Sequence, residues 1–330
     1  MKFEFYHEEI GNVPKLSVDG TVPNSIHFSH WQGNETPVEV KADTSTEIAL
    51  NLVALPDKSR LTRDIELVTN NHFDTDGVLS VWTVITGERA LEFRDLLIAA
   101  AEAGDFSEYS TDNAVRASIA IQGSDQAGPE DEAGSPLARH LAGEVVSDDA
   151  RAYALVLPRI EQLLTDISDY EPLWRDGWER VAKALESFER GTSQVEERLD
   201  GRLSLITLSP EIFNGSGFNP TRHAAPYTAI SRYAHGTLYV IAIPTRDGWY
   251  YRFDYPYYSW AETIVRPLIG RRDFTWALRE LNERETKIGG HWQMDTLEMT
   301  SAVKFLNQHG TLMASGLRPV EVASVVAQTT

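Results

Sequence analysis

Thr69-Asn70-Asn71-His72-Phe73-Asp74-Thr75-Asp76-Gly77-Val78-Leu79-Ser80-Val81-Trp82 is the stretch on which the reading of the fold turns. Ile65, Leu67 and Val68 before it have the character of the end of a buried strand. After Gly77, the apolar residues Val78, Val81, Trp82 and Ile85 recur at helical spacing. His72, Asp74 and Asp76 therefore sit on a strand-to-helix crossover. In extended backbone every second side chain points to one side. An imidazole and two carboxylates are thus expected to face one space at the carboxyl end of a strand, where open α/β sheets place their ligands.

Two like charges brought together repel, and burial raises the cost of ionising both. A divalent cation removes both problems. Mixed imidazole and carboxylate ligands suit Mn²⁺, Fe²⁺ or Zn²⁺, with Mg²⁺ admissible where the imidazole is peripheral. The plainer alternative is a polar turn in which Asp76 starts the helix and His72 only hydrogen-bonds. A calcium EF-hand does not fit: His72 would take the first ligand position, Thr83 would replace the bidentate Glu, and no helix precedes the loop.

The 330 residues are enough for one large domain or two ordinary ones. Apolar residues make up 42% and charged residues 24%, with eight Trp and twelve Tyr, the composition of a soluble globular protein with material for a core. There is no cysteine, which excludes disulfides, a thiolate nucleophile and cysteine-based metal sites. The start, Met-Lys-Phe-Glu-Phe-Tyr-His-Glu-Glu, lacks the apolar core of a signal peptide. No apolar run is long enough to span a bilayer, so a cytoplasmic protein is expected. The net charge of −19 argues against long nucleic acid as a partner. It leaves room for a small anionic substrate, because a metal and a few Arg residues can reverse the field within one cleft. A homodimer is admissible.

Residues 1–60 read as short strands and turns, with Ser25–Trp31 a strand candidate. His30, Trp31, Gly33 and Asn34 place an aromatic beside groups able to bind an anion; a turn with a packing Trp is the alternative. Asp43-Thr44-Ser45-Thr46 before Glu47 looks like a capped helix start. Leu91, Phe93, Leu96, Leu97 and Ala100 give the next helix its apolar face, and Gly104 stands where it should end. Asp105 just beyond can supply a further ligand or be an ordinary loop residue. Residues 112–122 are again helical, Gly123–Ser135 is a polar loop, and a helical block runs from Pro136 to Phe188. His140 in that block is a candidate ligand or a structural histidine. Trp174 and Trp178 are expected to pack.

Glu189–Gly201 breaks the apolar periodicity and reads as a link. Leu203–Leu208, Tyr239–Ile243 and Trp249–Phe253 are expected strands, the last two joined by a hairpin with Asp247-Gly248. Arg222, Arg232, Arg246, Arg252, Arg266, Arg271 and Arg272 concentrate here with Tyr and His interleaved. The guanidinium fork pairs with phosphate or carboxylate, so a subset, with His223, is expected to bind an anion. Trp276–Glu285 is helical. Gly289-Gly290-His291 either lets backbone amides approach an anion or is a cap and turn. Thr300–Asn307 reads as a closing helix.

Two of these motifs resemble one family. His72–Ser80 resembles the first motif of the DHH phosphoesterase superfamily, in which alternating His/Asp/Asp residues hold one or two Mn²⁺ or Mg²⁺ ions on a parallel sheet. Gly289-Gly290-His291 is similar to the Gly-Gly-His loop of the associated C-terminal domain, which binds substrate phosphate. The chain has no Asp-His-His triplet, and Trp292-Gln293-Met294-Asp295 stands where that family has small residues. Ser29-His30-Trp31-Gln32-Gly33-Asn34 is not a hallmark of that superfamily and resembles part of an uncharacterised bacterial family that shares Asn-His-Phe-Asp-Thr-Asp-Gly.

The resemblance implies an α/β protein: a parallel-sheet N-terminal lobe with flanking helices (1–190), a link (191–201) and a smaller α+β C-terminal lobe (202–330), with the active-site cleft between them. It implies a metal-dependent hydrolase of a small phosphoester. His72, Asp74, Asp76, Asp105 and His140 would hold the metal, Mn²⁺ before Mg²⁺ or Fe²⁺. His72, Asp74, Asp76 and His291 would serve catalysis, and His30, Asn34, Arg222, His223, Arg232, Gly289, Gly290 and His291 the substrate. The alternatives are another metal enzyme on the same residues, an amide hydrolase or iron oxygenase, and a non-catalytic binding protein.

Overall fold

The computed structural model describes residues 1–126, 134–199, 201–213, 223–296 and 301–329. Arg222, one of the expected anion-binding residues, lies outside them. The chain divides into two compact units. The first is Met1–Asp125, Glu130–Trp178 and Trp260–Leu268; the second is Gln126–Pro129, Glu179–Ser259 and Ile269–Thr330.

In the first unit, β1 (Lys2–Phe3), β2 (Lys15–Val18), β3 (Ser25–Phe28) and β4 (Leu67–Thr69) form a wholly parallel sheet in the order β1-β4-β2-β3. Every residue of β2 and β4 is buried, as parallel strands covered on both faces require. Even Lys15 is inside, its ammonium satisfied by the carbonyls of Ile10, Gly11, Val13 and Asn24. The flanking helices are α1 (Ser45–Ala54), α2 (Ser59–Thr62), α3 (Thr75–Thr86), α4 (Arg94–Asp105), α5 (Asp112–Gln122), α6 (Pro136–Ala142), α7 (Asp149–Val156) and α8 (Ile160–Thr165). The Thr44 hydroxyl accepts from Glu47 N and caps α1 as expected. Trp174 and Trp178 do pack, with the Arg116 guanidinium 4.8 and 4.5 Å from their ring centres. They lie on α9 (Glu171–Glu189). No helix among the described residues is long and apolar enough to cross a membrane.

The second unit holds a mixed sheet of β5 (Gln194–Arg198), β6 (Leu203–Thr207), β7 (Tyr239–Thr245), β8 (Gly248–Asp254), β9 (Gly290–Met294) and β10 (Ser301–Asn307). Its order is β5-β6-β7-β8-β10-β9, with only β6 and β7 parallel. Alternation along β6 and β7 feeds two cores. Leu205, Val240 and Ala242 face one with Trp292 and Phe305, while Ile206, Ile241 and Ile243 face the other with Tyr227. α10 (Tyr227–Tyr233), α11 (Thr275–Arg284) and α12 (Pro319–Val326) complete the unit.

Two expectations fail here. The stretch 191–201 is not a bare link, since Gln194–Arg198 is an edge strand paired with β6; its polarity is that of a strand largely facing water. Of the expected helix Thr300–Asn307, Thr300 lies outside the described residues and Ser301–Asn307 is a strand. Val303 and Phe305 are buried and Lys304 is not, which is strand alternation, and the segment lies between β8 and β9.

Candidate metal centre

The carboxyl ends of β2 and β4, the ends of β3 and α4 and the start of α3 bring six side chains together. Ligand-type atoms of Asp19, His30, Asp76 and Asp105 lie within 4.8 Å of one another, and so do those of Asp19, His72 and Asp74. The two sets share Asp19. The former is the inner set, with Asp19, His30 and Asp76 fully enclosed. The latter is the outer set, in which His72 and Asp74 keep 27% and 28% of their side-chain surface in contact with solvent.

Each ligand is placed by local structure. β2 ends at Val18, and Asp19 follows with φ at 62°, a left-handed conformation that Asp tolerates better than most residues. Gly20 then allows a close approach: a Cβ there would meet Asn71 Oδ1 at 2.0 Å. Asp74 is the N-cap of α3, its Oδ1 accepting from Gly77 N at 2.7 Å. Asp76 lies in the first turn of that helix, and its two oxygens accept at 2.7 Å from Ser45 N and Thr46 N, the open amides of α1. Asp105 is the last residue of α4, which runs one residue past the expected stop at Gly104.

Helical winding begins at Thr75, so His72, Asp74 and Asp76 do not alternate toward one point as an extended crossover would. His72 and Asp74 go to the outer set and Asp76 to the inner one.

Both imidazoles are oriented alike. His30 Nδ1 is 2.8 Å from the backbone carbonyl of Asp43, and His72 Nδ1 is 3.0 Å from Asn71 Oδ1. An oxygen acceptor keeps the hydrogen on Nδ1 and aims Nε2 elsewhere. His30 Nε2 faces Asp105 Oδ2 at 3.2 Å and Asp19 Oδ1 at 3.7 Å. His72 Nε2 faces Asp19 Oδ2 at 2.9 Å and Asp74 Oδ2 at 3.0 Å. One ring nitrogen carries at most one hydrogen and cannot serve two carboxylates. Asp19 Oδ2 and His30 Nε2 are buried and make no well-formed hydrogen bond, although an imidazole and a carboxylate stand close to them.

The electrostatics show the same deficit of positive charge. Burial pulls His30 toward its neutral form, but Asp105, Asp76 and Asp19 outweigh it and push it up to about 10. His72 is likewise opposed by burial and carried by Asp19 and Asp74 up to about 11. Burial and then the Asp19 charge push Asp76 up to about 7, and burial holds Asp105 well above the ordinary carboxylate range. Burial and the Asp19 charge also raise Asp74. Asp19 alone goes down, because His72, His30 and the Ser45 hydroxyl overcome its burial. Without a cation, protons fill the role. Four carboxylates with neutral imidazoles carry a charge that two divalent ions would balance. The donor set, with its two orphaned atoms, therefore fits metal ions.

His140 is exposed on α6 and belongs to neither set, so it is not brought to the metal site. Asn34 donates through Nδ2 to Trp31 O and Glu262 Oε2, both at 2.8 Å, and so holds a loop together. In the second unit, His223 stacks on Phe213 with centroids 5.4 Å apart, and the Arg232 guanidinium lies 5.7 Å from the Tyr233 ring centre. Gly289 has φ +86 and turns the chain into β9, where Gly290 is the first residue and His291 is exposed. Two features escape sequence reasoning. Asp19 carries a faint signal, the alternation of Leu16 and Val18 ending in Asp-Gly. The segment Trp260–Leu268, which packs within the first unit, carries none.

A parallel α/β unit with a shared-carboxylate ligand cluster defines a candidate metalloprotein. Residues 1–317 match the family model described as "Family of unknown function (DUF6687)", and the chain belongs to that family. No curated protein matches it. Among solved structures, it is similar to a pGpG-specific phosphodiesterase, PggH, from Vibrio cholerae. The identity is 11%, over 95% of this chain and 98% of that one, with a TM-score of 0.33. That agreement is too low to transfer a fold or an activity.

Proposed function

We propose that this protein is a metal-dependent hydrolase of small phosphoesters. The observation that carries the reading is the meeting of two ligand sets at one buried carboxylate, Asp19. Paired metal sites that share ligands serve in-line displacement at phosphorus, and the His72–Ser80 motif resembles that of a phosphoesterase superfamily. Asp19, His30, Asp76 and Asp105 would hold one ion, and Asp19, His72 and Asp74 the other. Mn²⁺ is the ion proposed, ahead of Mg²⁺ or Fe²⁺, for a carboxylate-rich set with imidazoles. Bound divalent cations supply Lewis acidity toward phosphoryl oxygens and lower the pKa of water toward about 7.

The protein's own part is positioning. The amides of Ser45 and Thr46 fix Asp76, the Asp43 carbonyl fixes His30, and Asn71 fixes His72. Phe106 and Trp260, with centroids 5.6 and 5.0 Å from the His30 ring, exclude water from the inner set. Trp31, 5.2 Å from the His72 ring, packs on the outer one. His223, Arg232 and His291 remain proposed as phosphate-holding residues, with the amides of Gly289 and Gly290.

The test is hydrolysis of p-nitrophenyl phosphate, bis-p-nitrophenyl phosphate and a panel of nucleotides by Mn²⁺-loaded protein. Mn²⁺-dependent turnover that disappears in Asp74→Asn is the expected result. Protein that takes up no Mn²⁺, or takes it up and leaves every phosphoester untouched, contradicts the reading.

A further inference from the structure

Trp260–Leu268 is far in sequence from the rest of the first unit yet packs inside it. Its contacts converge on the inner ligand set. Glu262 N donates to the carbonyl of His30 at 2.7 Å, and its carboxylate accepts from Gly33 N and Asn34 Nδ2, both at 2.8 Å. Trp260 meets the His30 ring edge-on at 5.0 Å. The Asp43 carboxylate accepts from the amides of Ile264, Val265 (2.9 Å) and Arg266 (3.0 Å).

Arg266 ties these contacts together. Its guanidinium binds three carboxylates: Asp43 through Nη1 at 2.8 Å, Glu102 through Nη2 at 2.6 Å, and Glu108 through Nε at 3.0 Å and Nη2 at 2.5 Å. It also lies 5.0 Å from the ring centre of Phe106. Two of these partners bracket Asp105 at three residues on either side, where α4 ends. The third is the residue whose backbone carbonyl takes the Nδ1 hydrogen of His30. One planar fork therefore reaches the supports of two inner ligands. A lysine would bring the charge but not the geometry.

We propose that Arg266 is a positioning residue for the inner metal site, acting through Asp43 on His30 and through Glu102 and Glu108 on Asp105. The proposal rests on the metal reading above. Arg266 binds the supports of both ligands and holds the shape into which they project. Its loss would leave Asp43, Glu102 and Glu108 converging without a counter-charge. The backbone amides of residues 264–266 on Asp43 would remain, so the inner set should loosen rather than come apart. Hydrogen-bonded supports of metal ligands typically account for about 10–100-fold in metal affinity. His72 and Asp74 make none of these contacts, so the outer site should be spared.

The experiment compares the full chain as wild type, Arg266→Ala and Arg266→Lys. Metal content is measured by elemental analysis and Mn²⁺ affinity by calorimetry. Long-range ¹H–¹⁵N spectra of the Zn²⁺-loaded protein report the two imidazoles. The wild type should bind two ions, with His30 and His72 each protonated at Nδ1 and metal-bound at Nε2. Arg266→Ala should lose about 10–100-fold in affinity at one site and shift the His30 nitrogens, leaving those of His72 in place. Arg266→Lys should fall between, and it carries the test if the alanine variant does not fold. A wild type that binds no ion removes this proposal together with the metal reading. A wild type that binds two, with folded variants that bind them equally well and with unchanged His30 signals, overturns this proposal alone.

Discussion

The two ligand sets that meet at Asp19 are built to different standards. His30 is enclosed by Phe106, Trp260 and the Asp43 carbonyl, all backbone or ring, and the support of Asp43 itself is fixed by Arg266. His72 leans on a neighbouring side chain, Asn71, and on Trp31, and keeps part of its surface in water. Of the carboxylates that belong to one set only, burial raises all three, Asp105 well above the usual range and Asp76 up to about 7 in the inner set and Asp74 in the outer one, while the shared Asp19 is lowered. A set that is dry, rigid and costly when empty favours an ion held for long periods. A set that is partly wet and side-chain-supported favours one that exchanges and meets substrate.

Asp19→Asn should have the largest effect, because it removes the carboxylate common to both sets. Both ions should be lost with all phosphoester hydrolysis, seen by elemental analysis and assay; retention of either ion breaks the shared-ligand picture. Asp105→Asn should separate the sets. The inner ion should go and the outer one stay.

His72→Gln should act on the outer ion alone. Under conditions where that ion is present at 100 times its Kd, the variant should forfeit about 2.7 kcal/mol of metal-induced stability. Loss of the inner ion as well would show that the sets are not separable. A further effect is on pH dependence. With His30 and His72 raised to about 10 and 11 in the metal-free protein, both rings carry a proton at pH 7 that must leave before Nε2 can bind a cation. Affinity should therefore rise with pH across the neutral range, by about tenfold per unit for each proton displaced. Calorimetry in buffers of different ionisation enthalpy counts those protons, and zero would mean that the imidazoles are not ligands.

Much of the outer set was legible because its residues are neighbours in the chain. His72 and Asp74 follow a buried strand and precede a regular apolar helix, and that pattern is local. The split of Asp76 from Asp74 was not legible, since it depends on helical winding starting at Thr75 rather than after Gly77. Asp105 could be suspected from its place at a helix end, and His30 was noticed but read for an anion. Asp19 needed the parallel pairing of β2 with β4, which no short window reveals. Arg266 was counted among the arginines expected to bind an anion, but its carboxylate partners were out of reach, since it and Glu102 are 164 residues apart. β10 was misread because seven residues with alternate apolar positions fit a helix face nearly as well as a strand.

An anomalous-scattering map from crystals grown with Mn²⁺ tests the central claim most directly. The account predicts two peaks about 3.5–4 Å apart, one among His30, Asp76 and Asp105 and one between His72 and Asp74, with Asp19 reaching both. A map with no peak at Asp19, and both imidazole Nε2 atoms bonded only to carboxylates, would contradict it.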